Sequence, residues 1–438
     1  MTILLFLLLL TAGLALPTAA QQQRFPMPEF QTEYELPETT RPEPRAPGME
    51  YMDLLVLIAV LGLTAWMVFY KRSRKWIFWL AVFALLYFGF YRKGCICSIG
   101  AIQNLSLALS GTGYLVSLSV LAFFAIPLLT ALFAGRLFCA SACPLGAIQD
   151  LVIIRPVRVA PWLQKTLGVI PFVYLALAVL YAATGTSFII CRYDPFIGVF
   201  RLGAPFHMAL LGISFLLAGM FVGRPYCRFL CPLGALLNVC SRFSKKHLSI
   251  TPKECINCKL CADSCPFGAI DHPTEGKKPG RDSFRRFVTY ALLLPAFVAA
   301  GAWAVSSAHG LLSKMHPDVR LAQVMLGEPE VLSESDKIAV DTFRASDRTL
   351  DMLVADAREV QQGFKRGGRY AGGFIGLVIA LTLLGQVTYR QRTDYSANRA
   401  ECLSCGRCME YCPVGKPEHP YHQQVAREEQ MNTNRSTT

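Results

Sequence analysis

The sequence predicts an all-α polytopic membrane protein that also carries a small α+β module. Of its 438 residues, 53% are hydrophobic and only 17% are charged, which is too apolar a composition for an ordinary soluble protein. The apolar residues lie in long blocks, as helices that cross a bilayer require. Two short runs of four cysteines lie outside these blocks. We therefore expect membrane helices and a cysteine-rich module in one chain.

The chain begins with an apolar stretch, Ile3 to Leu16, which is followed by small residues up to Ala20. This pattern is typical of a secretory signal peptide over residues 1–20, with an uncleaved anchor as the alternative. Residues 21–50 are rich in proline and glutamate. Such a composition predicts a disordered segment on the outer side of the membrane.

Seven further apolar blocks predict about seven transmembrane helices. Most of them reach the length of about 20 residues that is needed to cross a ~30 Å hydrocarbon layer. The blocks are Met52 to Tyr70, Trp76 to Tyr91, Tyr114 to Phe133, Leu167 to Ile190, Phe206 to Val222, Phe287 to Val305, and Ala371 to Tyr389.

The basic residues between these blocks predict the orientation of the chain. The connection from Gly223 to Arg286 and the tail after Arg390 are both strongly basic, so both are expected on the cytoplasmic side of a bacterial inner membrane. The predicted organisation is a membrane domain at 51–240, a first module half at 241–285, a transmembrane helix at 286–306, a periplasmic loop at 307–370, a transmembrane helix at 371–389, and a second module half with a cytoplasmic tail at 390–438.

The formal net charge of +13 arises from basic residues that lie mostly beside the apolar blocks. They form no separate basic domain with interleaved aromatic residues, which a nucleic-acid-binding protein would need. The lipid bilayer is therefore an expected partner, and no nucleic-acid partner is predicted.

Both cysteine runs have the spacing C-x2-C-x2-C-x3-C-P. In bacterial-type ferredoxins, three cysteines of such a run bind one [4Fe-4S] cluster and the fourth binds the neighbouring cluster. The sequence therefore predicts a cytoplasmic dicluster ferredoxin-like module with two [4Fe-4S] clusters. The alternative is zinc, although zinc modules usually have two separate C-x2-C pairs or a Cys/His mixture. The predicted ligands are Cys255, Cys258, Cys261 and Cys412 for the first cluster, and Cys402, Cys405, Cys408 and Cys265 for the second.

The membrane domain contains an internal repeat. Residues 135–147 and 223–235 each contain a Cys-x3-Cys-Pro motif, with glycine and arginine before it and Leu-Gly-Ala after it. Two further segments, Cys97 to Leu105 and Asp194 to Gly198, look like weaker copies, the latter with Asp in place of Cys. We infer that the membrane domain arose by duplication of a unit of one span and one loop.

The cysteines of this repeat are candidate redox or metal-binding thiols. Proline is favoured in the first helical turn, so Cys143 and Cys231 are expected at helix N-caps, where free amides and the helix dipole stabilise a thiolate. The alternatives are small buried hydrophobic residues or reversible dithiols. The expected inner set, which could hold a further metal or cluster, is Cys139, Cys143, Cys227 and Cys231; the outer candidates are Cys95, Cys97 and Cys191.

With these motifs the chain resembles the NapH/NosR family of polytopic membrane polyferredoxins, from about Met52 to Pro413. The resemblance rests on the paired Cys-x3-Cys-Pro motifs together with the two ferredoxin runs. It implies an electron-transfer component, such as a quinol dehydrogenase subunit, with quinone as a further candidate cofactor. The implied partners are the quinol pool or a cytoplasmic electron donor, and a periplasmic reductase or cytochrome partner of the nitrate or nitrous oxide type.

Two other functions stay open at this point. A more distant resemblance to CcoG/FixG-type proteins implies a copper-handling or metal-reducing assembly factor, because soft thiolates suit Cu(I). A redox-sensing membrane regulator is the other alternative. No catalytic residue is predicted, because no acid–base or nucleophilic group of residues for chemistry on an organic substrate is visible in the sequence.

Overall fold

The computed structural model describes residues 47–94, 98–111, 113–201, 203, 205–251, 255–274, 281–327, 333–388, 391–414, 416 and 419–421. The predicted signal peptide at 1–20, residues 21–46 of the predicted outer segment, and Cys95 and Cys97 lie outside the described residues.

The described chain is mostly helical, as predicted. The helices of its first part are α1 (Pro47–Trp66), α2 (Arg74–Ala84), α3 (Ala101–Leu109), α4 (Leu118–Ala134), α5 (Pro144–Leu151), α6 (Pro161–Leu167), α7 (Ile170–Ala183), α8 (Ile189–Tyr193), α9 (Pro195–Arg201), α10 (Phe206–Phe221), α11 (Pro225–Phe229) and α12 (Pro232–Arg242). Short π-helical segments continue α1 over Met67–Lys71 and α2 over Leu85–Tyr91, and a third lies at Phe138–Ala142.

The second part contains the cysteine runs and a pair of long helices. Its elements are α13 (Leu260–Asp263), β1 (Ile270–Asp271), α14 (Arg281–Ser307), α15 (His309–Ser313), α16 (Pro317–Met325), α17 (Glu334–Arg344), α18 (Leu350–Val387), β2 (Ser396–Ala397) and α19 (Arg407–Glu410).

Five helical segments of the described chain are long and apolar enough to cross a membrane, or six if α9 and α10 form one bent span. Helix α4, at another predicted position, is apolar but shorter. The structure thus has a helix at each of the seven predicted positions. Two of these helices, α4 and α10, are short. The long segments are Gly48–Lys71, Arg74–Tyr91, Pro161–Ala183, Phe284–Ser307 and Leu350–Val387.

Helices α14 and α18 pack closely because glycines line their contact. A Cβ atom added to Gly372 would lie 2.1 Å from the carbonyl oxygen of Gly301, and one added to Gly376 would lie 2.2 Å from that of Phe297. Residue numbers rise along α18 as they fall along α14, so the helices are antiparallel. Small residues let helix backbones approach in this way inside membranes. The chain therefore returns to the end of the pair from which it started.

The two cysteine runs meet at that end. Strand β1, after the first run, pairs antiparallel with β2, before the second run, with Ile270 opposite Ala397 and Asp271 opposite Ser396. The backbone N–H of Asn398 also donates to the carbonyl of Ala269 at 2.9 Å. Residues far apart in sequence thus form one small module.

Helices α16, α17 and the first turns of α18 form a separate small core at the opposite end of the pair. It contains Val319, Leu321, Phe343 and Leu353. Most of the predicted loop at 307–370 is thus helical, and α18 joins the end of that loop to the following apolar block without a break.

Candidate metal centres

A cavity in the small module is lined by the thiols of the first predicted cluster site. Three of them come from the first run and one from the second. The lining cysteines are Cys255, Cys258, Cys261 and Cys412.

A second cavity has the reciprocal composition. One cysteine of the first run meets three of the second run, and Leu403 and Arg407 contribute to the wall. The lining cysteines are Cys265, Cys402, Cys405 and Cys408. The structure thus brings together the two sets of four that the spacing predicts.

Both runs turn in the same way. Asn257 and Ser404 both have φ 52°, and the next residue but one has positive φ in each run, 64° at Lys259 and 77° at Gly406. In each run these two left-handed residues flank the second cysteine, Cys258 or Cys405, and bend the backbone around it. In each run a short helix begins directly after the second of these residues, α13 after Lys259 and α19 after Gly406. Glycine adopts such angles without strain, and asparagine does so more readily than most residues.

Burial favours the protonated form of one thiol in each site. It raises the pKa of Cys402 to about 12 and that of Cys261 to about 11, and neighbouring thiols add to both shifts. Metal ions bind thiolates, so loading these sites would release protons. Within the described residues, no three His, Cys, Asp or Glu side chains are grouped to hold a single metal ion.

The two cavities are adjacent. Helix α13 of the first run packs against α19 of the second. The pKa of Cys408 is raised well above its usual range by burial and by neighbouring thiols, among them Cys261 of the other site. Any groups held in the two cavities would therefore be close neighbours.

The four inner cysteines of the membrane domain also lie together. All are buried, and the pKa of Cys231 is raised by burial first and then by the other three, namely Cys227, Cys143 and Cys139. Cys143 and Cys231 are the N-cap residues of α5 and α12, which confirms that prediction. The expectation of a stabilised thiolate at Cys231 is wrong, because the loss of solvation outweighs the 3.4 Å hydrogen bond from Gly234.

Polar groups from both copies of the repeat contact these cysteines. The side-chain amide of Gln149 donates to Cys227 Sγ at 3.2 Å, and Arg136 Nη2 lies 3.9 Å from Cys139 Sγ. Arg224 Nη1 donates to the carbonyl of Cys139. Burial raises the pKa of Cys227 to about 12, against the opposing effect of Arg224.

Sequence reasoning assigned no role to a group of buried charges between the membrane domain and the small module. Asp150 forms ion pairs with Arg74, with Arg224 at 3.5 Å and with Arg407 at 3.3 Å. Burial alone would raise the pKa of Asp150, but Arg224, Arg74 and Arg407 together hold it below its usual range. A signal was present in the sequence, because an arginine follows the glycine in both repeat copies.

Two buried arginines, Arg74 and Arg136, also contact the backbone in or just before the second cysteine run. Arg74 Nη1 donates to the carbonyl of Cys405 at 3.1 Å, and Arg136 Nη1 to that of Ala400 at 3.4 Å. Because Arg136 Nη2 also lies 3.9 Å from Cys139 Sγ, this arginine links the inner cysteines to the segment just before the second run.

The outer candidate Cys191 does not line the inner site. It contributes to a different cavity of about 290 Å³ that Arg92 and Arg201 also line. The neighbouring Asp194 accepts a 3.2 Å hydrogen bond from the hydroxyl of Tyr226, which precedes Cys227. The weaker repeat copy, at Asp194 to Gly198, thus contacts the residue just before Cys227. The two segments were expected at opposite boundaries of the membrane.

Family models provide independent information on these regions. A model described as a 4Fe-4S binding domain matches residues 116–169 and 204–251. Two further models with the same description match residues 248–271 and 399–415. The matches thus cover both ferredoxin runs and both Cys-x3-Cys-Pro motifs.

Several known proteins are similar to this chain. An uncharacterized protein of Methanocaldococcus jannaschii is 30% identical over 42% of this chain and 77% of its own length. Protein NirI of Paracoccus denitrificans is 27% identical, and regulatory protein NosR of Pseudomonas aeruginosa is 29% identical, each over 52% of this chain. The matches span only 36% of NirI and 34% of NosR. No solved structure matches the chain.

The cysteine runs, the apolar helices and these similarities agree with one another. The chain belongs to the NosR/NapH-like family of ferredoxin-type membrane electron-transport proteins.

Proposed function

We propose that this protein relays single electrons through two [4Fe-4S] clusters held by the small module. The first would be bound by Cys255, Cys258, Cys261 and Cys412, and the second by Cys265, Cys402, Cys405 and Cys408. The observation that carries the proposal is the composition of the two cavities, each lined by three thiols of one run and one of the other.

When bound, such clusters accept and release one electron at a time at potentials set by their surroundings. The chain supplies the positioning. Pairing of β1 with β2 brings the runs together, and contact between α13 and α19 keeps the cavities adjacent. Arg407 lines the second cavity and, with Arg74, connects it to Asp150. These positive charges would favour the more negative, reduced state of the nearby group.

The electrons would come from the quinol pool or a cytoplasmic donor and would go to a periplasmic reductase or cytochrome. The resemblance to NapH/NosR-type proteins supports this route, with the module on the cytoplasmic side of a bacterial inner membrane. Arg242→Cys, at the end of α12, and Glu334→Cys, at the start of α17, test the orientation because both positions are exposed. In right-side-out vesicles, a membrane-impermeant thiol reagent should label Glu334→Cys more than the unmodified protein, whose exposed Cys191 sets the background, and should label Arg242→Cys no more than that background. A gain of label in both variants would contradict the orientation.

Single cysteine variants test the shared ligation. Cys412→Ala should disturb chiefly the cluster held by the first run, and Cys265→Ala chiefly that held by the second. Iron content and electron paramagnetic resonance of anaerobically prepared protein measure this, with Cys240→Ala on α12 as the matched control. Loss confined to the run that carries the substitution would contradict shared ligation, and absence of iron from the unmodified protein would contradict the function.

A redox-sensing regulator is the second candidate, favoured by the similarity to NosR, which is named a regulatory protein. The two functions differ in whether the protein is reduced and reoxidised repeatedly. A relay reduced by a quinol analogue should be reoxidised repeatedly by a periplasmic reductase with its substrate, whereas a sensor would be reduced once and change its binding to a partner.

A further inference from the structure

The junction between the membrane domain and the small module has an excess of buried positive charge. Arg224 is fully buried, and Arg74 and Arg136 are more than nine-tenths buried. The carboxylates that face this group are Asp150 and, through weaker interactions, Glu401, which also faces Arg228. Buried cations are costly unless negative charge compensates them.

The arginines also have unused hydrogen-bond donors. Within the described part of the chain, Nε of Arg136, and Nε and Nη2 of Arg224, donate no hydrogen bond. Nη2 of Arg224 has only the 3.5 Å ion pair with Asp150. Buried donors without acceptors are uncommon in folded proteins, so they indicate a group that the polypeptide itself does not supply.

These cations face two sets of thiols. Arg224 interacts with Cys139 and Cys227 of the membrane domain, and with Cys405 of the second ferredoxin site. Arg136 faces Cys227 and Cys402 in the same way. An anionic cluster in the second ferredoxin site would compensate one side of the arginines. On the membrane-domain side, Arg136 Nη2 lies 3.9 Å from Cys139 Sγ, and Arg224 Nη1 donates to the carbonyl of Cys139.

The packing around the guanidinium groups is reciprocal between the two repeat copies. A Cβ added to Gly146 would lie 3.0 Å from Arg224 Nη1, and one added to Gly234 would lie 3.4 Å from Arg136 Nη2. The glycine after each Cys-Pro-Leu sequence therefore leaves room for the arginine of the other copy. Both arginines are thus held beside the thiols by backbone geometry.

We propose that Cys139, Cys143, Cys227 and Cys231 hold a third iron–sulfur centre, with Arg136 and Arg224 as its counter-ions. Four metal-bound thiolates would place negative charge beside the buried arginines. The family match at 116–169 and 204–251 contains these cysteines and neither ferredoxin run.

This centre goes beyond the proposed function, which requires only the two clusters of the small module. It would extend the electron route toward the membrane helices. One electron leaving a reduced ferredoxin cluster would enter the oxidised third centre, with no bond made or broken. The shared arginines would lower the electrostatic barrier between the two sites.

Iron and acid-labile sulfide, measured per chain on anaerobically prepared full-length protein, test the proposal. We expect more iron and more acid-labile sulfide per chain than two [4Fe-4S] clusters contain. Cys227→Ala should remove the excess and keep the ferredoxin signals, whereas Cys240→Ala should remove nothing. Cys405→Ala should give the converse result, with loss of one ferredoxin cluster and retention of the excess.

Iron and sulfide analysis of the unmodified protein tests the third centre even if a variant fails to fold. Iron and sulfide at the level of two clusters, or zinc in place of the excess iron, would overturn the third centre and leave the proposed relay intact. Excess iron that persists in Cys227→Ala would also overturn it. Iron below the level of two clusters, with the ferredoxin signals missing, would instead contradict the proposed function.

Discussion

Gln103 and Gln149 make the same contact in two copies of the repeat. The side-chain oxygen of Gln149 accepts a 3.1 Å hydrogen bond from the backbone N–H of Tyr226, and that of Gln103 accepts one of 3.1 Å from Ile190. Both glutamines are fully buried. Cys227 follows Tyr226 and Cys191 follows Ile190, so the two cysteines occupy equivalent places. The duplication is therefore visible in side-chain contacts as well as in sequence.

Gln149→Leu should destabilise the inner cysteine group. The substitution leaves the buried N–H of Tyr226 without its acceptor and removes the donor to Cys227 Sγ. An unsatisfied buried donor costs about 1–3 kcal/mol. Thermal unfolding of the detergent-solubilised protein measures the loss, with Gln362→Leu at an exposed position of α18 as the control. Equal melting temperatures for the two variants would contradict a structural role for this contact.

The sequence predicted much of this arrangement because the relevant signals are local. Apolar blocks located the long helices, and cysteine spacing predicted which thiols share a cavity. The ion pairs of Asp150 were missed because their partners Arg74 and Arg407 are distant in sequence and meet only in the folded chain. The equivalence of Cys191 with Cys227 was missed because the weak copy has a shorter interval before its proline.

Gly372→Ala should separate α14 from α18 and thereby weaken the small module. The new methyl group would lie 2.1 Å from the carbonyl oxygen of Gly301, and neither backbone can yield without moving a helix. Because the pair brings the two cysteine runs to one end, iron content should fall together with stability.

Gly385→Ala is the matched control on the same helix, because an added Cβ there meets nothing within 4 Å. Helix propensity alone favours alanine over glycine by about 1 kcal/mol, so this variant should be unchanged or slightly stabilised. Iron analysis and thermal unfolding of the two variants check the prediction. If Gly372→Ala retained full iron, the close helix contact would not be needed to assemble the module.

His247 should make the protein less stable in mild acid. Burial, with a smaller effect from Arg399, lowers the pKa of His247 to about 4, compared with about 6.5 in an unfolded chain. The unfolded state therefore binds a proton more readily, so stability is full above about pH 6.5 and falls as the pH decreases toward 4. The ring lies against Gly135, where an added Cβ would be 2.7 Å from Nδ1.

His247→Gln removes this titration. Melting temperatures between pH 7 and pH 4 should fall less steeply for the variant than for the unmodified protein, whatever the difference between them at pH 7. Parallel curves over this pH range would show that His247 does not contribute to the acid sensitivity.

Asp150→Asn should be the most damaging of these substitutions. Its carboxylate is the shared partner of Arg74, Arg224 and Arg407, and its side chain is 1% exposed. The neutral amide would leave these arginines without their shared anion in a buried junction. Removing one partner from a buried ion pair costs about 3–5 kcal/mol. Because Arg74 and Arg407 belong to the junction with the second cysteine run, the second ferredoxin site should be disturbed before the first.

Asp356→Asn provides the comparison, because Asp356 pairs with Arg348 while half exposed. An exposed pair contributes about 0–1 kcal/mol, so this variant should melt close to the unmodified protein. Urea unfolding and electron paramagnetic resonance of both variants distinguish the cases. Similar small losses for the two substitutions would mean that the arginines at the junction are compensated by charges other than Asp150, as bound anionic clusters on both sides would provide.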